Sequence, residues 1–129
     1  MNEQLTRFCA SAFLAGLVVI SAATNVLCQP ACRPNLIVKD VNFSPMQPPT
    51  MQRKWTARVS VDASRCAAHS TGTFEIVFTR LQEFGPDTQS SENFIWAAPD
   101  VAVAVTLAPT EAVQDYRIGR VTACRCAGE

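Results

Sequence analysis

Lys54-Trp-Thr-Ala-Arg-Val-Ser-Val-Asp62 is the clearest alternating run in the chain. Trp55, Ala57, Val59 and Val61 alternate with Lys54, Thr56, Arg58, Ser60 and Asp62. A period of two puts the first set on one face of an extended chain and the second on the other. The run therefore predicts a strand with one face in a core and one in water, as antiparallel sheets allow.

On both sides of it, similar short runs recur between Pro, Gly, Ser and Asp punctuation. Asn35 to Phe43 reads as a first strand, with Leu36 and Val38 on one face. Its phase slips at Lys39-Asp40, so that Val41 and Phe43 carry the pattern on; a bulge or a change of sheet does this. Ser44-Pro45 ends it, and Gln47-Pro48-Pro49-Thr50 is a rigid loop. Thr73 to Gln82 gives a third strand through Phe74, Ile76 and Phe78. Glu83 to Ser91 reads as the longest polar loop, and Phe94 with Trp96 as a short fourth strand that Pro99 ends. Val101, Val103, Val105 and Leu107 mark a fifth, whose small second face, Ala102, Ala104 and Thr106, is read as covered. Pro109 to Asp115 is a connection with one helical turn at Thr110-Glu111-Ala112. A sixth strand starts at Tyr116, with Ile118 inward and a phase slip at Gly119-Arg120.

Six strands and no long helical periodicity predict an all-β, immunoglobulin-like antiparallel β-sandwich over residues 35–129. Its core is expected to rest on Trp55, Val59, Phe74, Ile76, Val103 and Val105. No seventh strand follows the sixth.

The front of the chain is of another kind. Phe8 to Cys32 carries no charge, and Phe8 to Ala23 is a nearly unbroken apolar block behind Arg7. This is the layout of a secretory signal peptide helix over 1–23, with a cut after Ala23 or as late as Cys28. Residues 24–34 then form an N-terminal arm. The block is short for a membrane span, which needs ~20 apolar residues, although an uncleaved anchor is the competing reading. Leu27 stands where lipid attachment at Cys28 requires a small residue. The expected location is extracytoplasmic, periplasmic or secreted, with membrane contact only through the export signal.

Lys+Arg 11 balance Asp+Glu 11 with no basic stripe, which argues against nucleic acid as a partner. Of six cysteines, Cys9 falls in the leader and Cys28 at its edge. Cys32, Cys66, Cys124 and Cys126 are expected as disulfides in an oxidising compartment. If consecutive strands run antiparallel, the start of strand one and the ends of strands two and six share one pole. All four cysteines then meet there, with the pairing left open. The competing reading is a thiolate metal site with His69 nearby, but the spacings do not fit the usual zinc knuckles.

No catalytic set, cofactor motif or metal-ligand set emerges. His69, Ser70, Thr71 and Asp62 lie close in sequence without a framed motif. Asp87-Thr-Gln-Ser-Ser-Glu92 imitates a calcium loop poorly, and Glu83 belongs to the same polar stretch.

Pro34-Asn-Leu-Ile-Val-Lys-Asp-Val-Asn-Phe-Ser-Pro45, followed by the Trp55–Val61 strand, resembles the opening of CARDB domains, bacterial cell-adhesion-related modules of immunoglobulin/fibronectin-like type. The fifth and sixth strands fall in compatible places. Ser64-Arg65-Cys66 replaces the family's small-residue turn, and its closing strand is missing. The resemblance implies an exported, non-catalytic binding or structural module, whose partner is another protein or a cell-surface component; it transfers no site residues. The missing strand raises an alternative, a strand-accepting assembly subunit of pilin-like kind.

Overall fold

The structure is a computed structural model, which describes residues 31–128. The leader and most of the arm lie outside the described residues. Six strands are present: β1 Asn35–Phe43, β2 Arg53–Asp62, β3 Thr71–Gln82, β4 Thr88–Ala97, β5 Asp100–Leu107 and β6 Glu111–Val121. They form two antiparallel three-stranded sheets, in the orders β1-β2-β5 and β4-β3-β6. The chain changes sheet after β2, β4 and β5, and this is an immunoglobulin-like sandwich.

The alternation in β2 is carried through: Trp55, Ala57, Val59 and Val61 are all buried. Opposite them, Phe74, Ile76 and Phe78 of β3 are at most 1% exposed. The ring of Trp55 crosses between the sheets to meet Phe78 edge-on at 4.9 Å and Tyr116 at 5.3 Å. Aromatic contacts of this kind contribute about 0.5–1.5 kcal/mol beyond area burial. Trp96 is also fully buried and is the cross-strand neighbour of Gly72. A Cβ on Gly72 would collide with the Thr122 hydroxyl and stand 2.7 Å from the Trp96 Nε1, so the two together fill the space a side chain there would need.

Both phase slips are bulges. Between Lys39 and Asn42 the β1–β2 register skips a residue, with Asp40 at φ 52°. Leu36, Val38 and then Val41 therefore all pack against the core. Phe43, opposite Trp55, reaches the rim and stays 44% exposed. The slip at Gly119-Arg120 is a second bulge, opposite Glu75, whose carboxylate accepts the Arg120 N–H.

Three expectations are corrected. Strand β4 starts at Thr88, so Thr88 to Ser91 pair with β3 instead of lying in a loop. Those residues are polar on both faces, and the β3 ladder overrides their weak strand preference. Residues 110–112 form no helical turn: the Glu111 N–H closes a tight turn onto the Ala108 carbonyl, and β6 begins there. The Glu111 carboxylate accepts the Ala108 N–H (3.0 Å) and is held by Arg80 (3.2 Å) and Gln82 (3.3 Å), which fixes the strand start. Finally, Ala102, Ala104 and Thr106 are exposed, not covered.

Candidate binding surface at the disulfide pole

The ends of β1, β2 and β6 converge as alternating strand direction requires, and all four described cysteines meet at that pole. Cys32 bonds Cys126, and Cys66 bonds Cys124. The backbone pairs the other way round. Cys124 lies opposite Cys32 and Cys126 opposite Cys66 in isolated bridges, with the Cys124 N–H donating to the Cys32 carbonyl (2.8 Å). The tail after β6 thus runs between the N-terminal arm and the β2–β3 loop. It is tied further to that loop by Ala67 N–H to the Arg125 carbonyl (2.7 Å) and Ala127 N–H to the Arg65 carbonyl (3.0 Å). With both sulfur pairs bonded, neither pair offers a thiolate to a metal. Among the described residues no group of three or more His, Cys, Asp or Glu side chains is arranged to hold one.

Beside this knot the β2–β3 loop and the β4–β5 turn enclose an open concavity of about 580 Å³. Asp62, Ser64, His69 and Ser70 line it from one side, and Ala98-Pro99 wall the other. The Val61 N–H donates to the Pro99 carbonyl (2.8 Å), which locks the turn against the end of β2. Sequence reasoning identified His69, Ser70, Thr71 and Asp62 as chain neighbours. It missed the Ala98-Pro99 wall, which the β3–β4 register brings to this pole by pairing Ala97 with Thr71.

Local hydrogen bonds hold the polar groups of this surface. The Ser64 side chain and then its N–H hold the Asp62 carboxyl below the usual carboxylate range. The Ser70 hydroxyl donates to the Ala67 carbonyl (2.5 Å). His69 is exposed with φ 62°, the left-handed region, on a turn set by Ser70 N–H to the Ala67 carbonyl (3.2 Å).

The remaining polar candidates sit elsewhere. Glu92 lies on β4 and pairs with Arg80 at 3.3 Å, while Glu83 and Asp87 are exposed in the β3–β4 hairpin loop. They form no shared site. Arg80 is only 12% exposed and bridges Glu92 and Glu111 above Phe78, closing the opposite pole of the core. Among the described residues no helix is long and apolar enough to cross a membrane. Comparison of the chain with family models, with curated proteins and with solved structures finds no significant match.

Proposed function

We propose that this protein is an exported, non-catalytic binding or structural module of CARDB-like type, which meets another protein or a cell-surface component through its disulfide pole. The observation that carries the reading is the pole itself. Two disulfides and three backbone bonds clamp the tail to the arm and the β2–β3 loop, beside a concave surface lined by polar loop residues. A rigid sandwich that presents loops at one end is a common platform for recognition. Export is supported by the uncharged apolar leader and by paired cysteines, which persist outside the cytoplasm. The CARDB-like opening falls on β1 and β2, adjacent strands of one sheet.

The strand-accepting alternative has one observation in its favour. Among the described residues strand β6 pairs only with β3, and the inward residues of β1 and β6 on that side are only partly buried. The same edge carries two bulges and Glu111, Asp115, Arg117 and Arg120, features that oppose strand addition.

The test is expression of the full chain in a bacterial host, with fractionation and intact mass. A photo-crosslinking residue is then placed at His69 or, as control, at Gln89 on β4. A periplasmic product starting near Thr24 or Gln29, crosslinked to envelope components from His69 and not from Gln89, is the expected result. A cytoplasmic, uncleaved chain with reduced cysteines, or equal crosslinking from both positions, overturns the reading.

A further inference from the structure

Among the described residues the sandwich has four sheet edges, and they are not alike. Strand β1 is bulged at Asp40 with Lys39 beside it, and its Phe43 N–H is taken by the Asn42 side chain. Strand β6 has bulges near Gln114 and at Gly119-Arg120, four charged residues, and a Tyr116 N–H taken by the Asp115 carboxylate. Strand β4 is regular, but self-pairing about its middle would bring two Glu92 carboxylates together. These are the usual ways in which an edge is protected from adding another strand.

Strand β5 has none of them. It pairs with β2 without a register break from Asp100 to Ser60 through Leu107 to Arg53. Its only charge is Asp100, at its first position, and no proline interrupts it. Val101 to Leu107 is β-branched or apolar at every second residue, with alanine or threonine between. Val103, Val105 and Leu107 lie in the core, and Ala102, Ala104 and Thr106 are exposed on the outer face.

We propose that β5 is a self-association edge, at which two copies of this chain pair antiparallel to give the six-stranded sheet β1-β2-β5-β5-β2-β1. One register fits the charges. With Val103 beside Val103 of the second copy, Val101 faces Val105 and Ala102 faces Ala104, each pair occurring twice by symmetry. Asp100 then faces Thr106 of the second copy. Lys54 is the β2 neighbour of Thr106 and lies one strand beyond it on the same outer face, ~4.8 Å further in the hydrogen-bonding direction. The long lysine side chain can cross that distance, so each Asp100 meets a Lys54 of the other copy. No like charges are opposed. A closed two-fold pairing also consumes the edge, so the assembly stops at two.

The test uses the full exported chain with both disulfides formed, studied by sedimentation velocity over a range of concentrations. The expected result is a reversible monomer–dimer equilibrium. Ala102→Lys/Ala104→Lys sets like charges directly opposite at two places and should weaken the dimer roughly tenfold or more. Ala102→Glu/Ala104→Lys alters the same exposed positions but sets opposite charges together, and should restore the dimer in a salt-sensitive form. If the double-lysine protein fails to fold, hydrogen exchange on the wild-type chain decides, because only the outward amides of β5 should gain protection as concentration rises. A monomer at every concentration overturns the proposal. So do equal dimerisation by the two variants and concentration-dependent protection on β4 or β6 instead.

Discussion

Replacing Cys32 and Cys126 together by serine removes the outer of two nested bridges, whose sequence separations are 94 and 58. With the inner bridge intact, Cys124 is already fixed to Cys66. The outer bridge then closes only the chain from Cys32 to Cys66 and the step from Cys124 to Cys126. Loop-closure entropy for about 36 residues amounts to about 3.8 kcal/mol, against about 4.7 for the full separation taken alone. Both side chains are partly exposed, so serine leaves no fully buried hydroxyl behind. Against a domain stability of about 5–15 kcal/mol, this is a large fraction. Trp55 and Trp96 are fully buried and report unfolding by fluorescence. In urea, with a slope of about 1.5 kcal/mol per molar, the midpoint should fall by about 2.5 M. A loss below about 1 kcal/mol would contradict this role of the bridge, since the backbone bonds of the tail would then hold the pole unaided.

Three further outcomes follow from the core and its polar rim. Val59→Asp places a charge at a fully buried β2 position and should abolish cooperative unfolding; a soluble variant with a sharp melt contradicts the packing. Gly72→Ala pushes a Cβ into the Thr122 hydroxyl and the Trp96 indole and should cost about 1–3 kcal/mol in denaturant unfolding, whereas Gly85→Ala, with nothing near it, tests only its left-handed φ. The Ala108 N–H, then Gln82 and Arg80, hold the Glu111 carboxyl below its usual pKa of 4.5. Its contribution to stability is therefore present above the unfolded value and is lost as pH falls through the lowered folded one. Glu111→Gln should be less stable than wild type at pH 7, with the gap narrowing below about pH 4.5; a gap independent of pH contradicts the assignment.

The strands whose inward residues are apolar were legible in the sequence, and so were two of the three bulges. At Lys39-Asp40 and Gly119-Arg120 the apolar phase itself slips, and a bulge is how a strand keeps Val41 or Val121 facing the core. The bulge near Gln114 left no such mark, because Val113 is the one large apolar side chain between Glu111 and Asp115. The start of β4 was hidden for a related reason. Thr88-Gln-Ser-Ser has no inside and outside, and only the β3 ladder makes it a strand. The convergence of the cysteines was readable from strand direction alone, but their pairing was not, since every pairing closes the same pole. At the concave surface, His69 and Asp62 were visible as loop residues; alternating strand direction also puts the end of β4 at this pole, but only the β3–β4 register sets Ala98-Pro99 beside them.

A non-reducing tryptic map of the exported protein shows whether the start of β1 and the ends of β2 and β6 are tied at one pole. Arg125 lies between Cys124 and Cys126, so cleavage there separates the two tail cysteines. Arg33 precedes Pro34, so the Cys32 peptide runs on to Lys39. The fold predicts peptide 66–80 joined to 121–125, and the Cys32 peptide joined to 126–129. A Cys32 peptide joined to 66–80, or tail cysteines that alkylate without reduction, would contradict it.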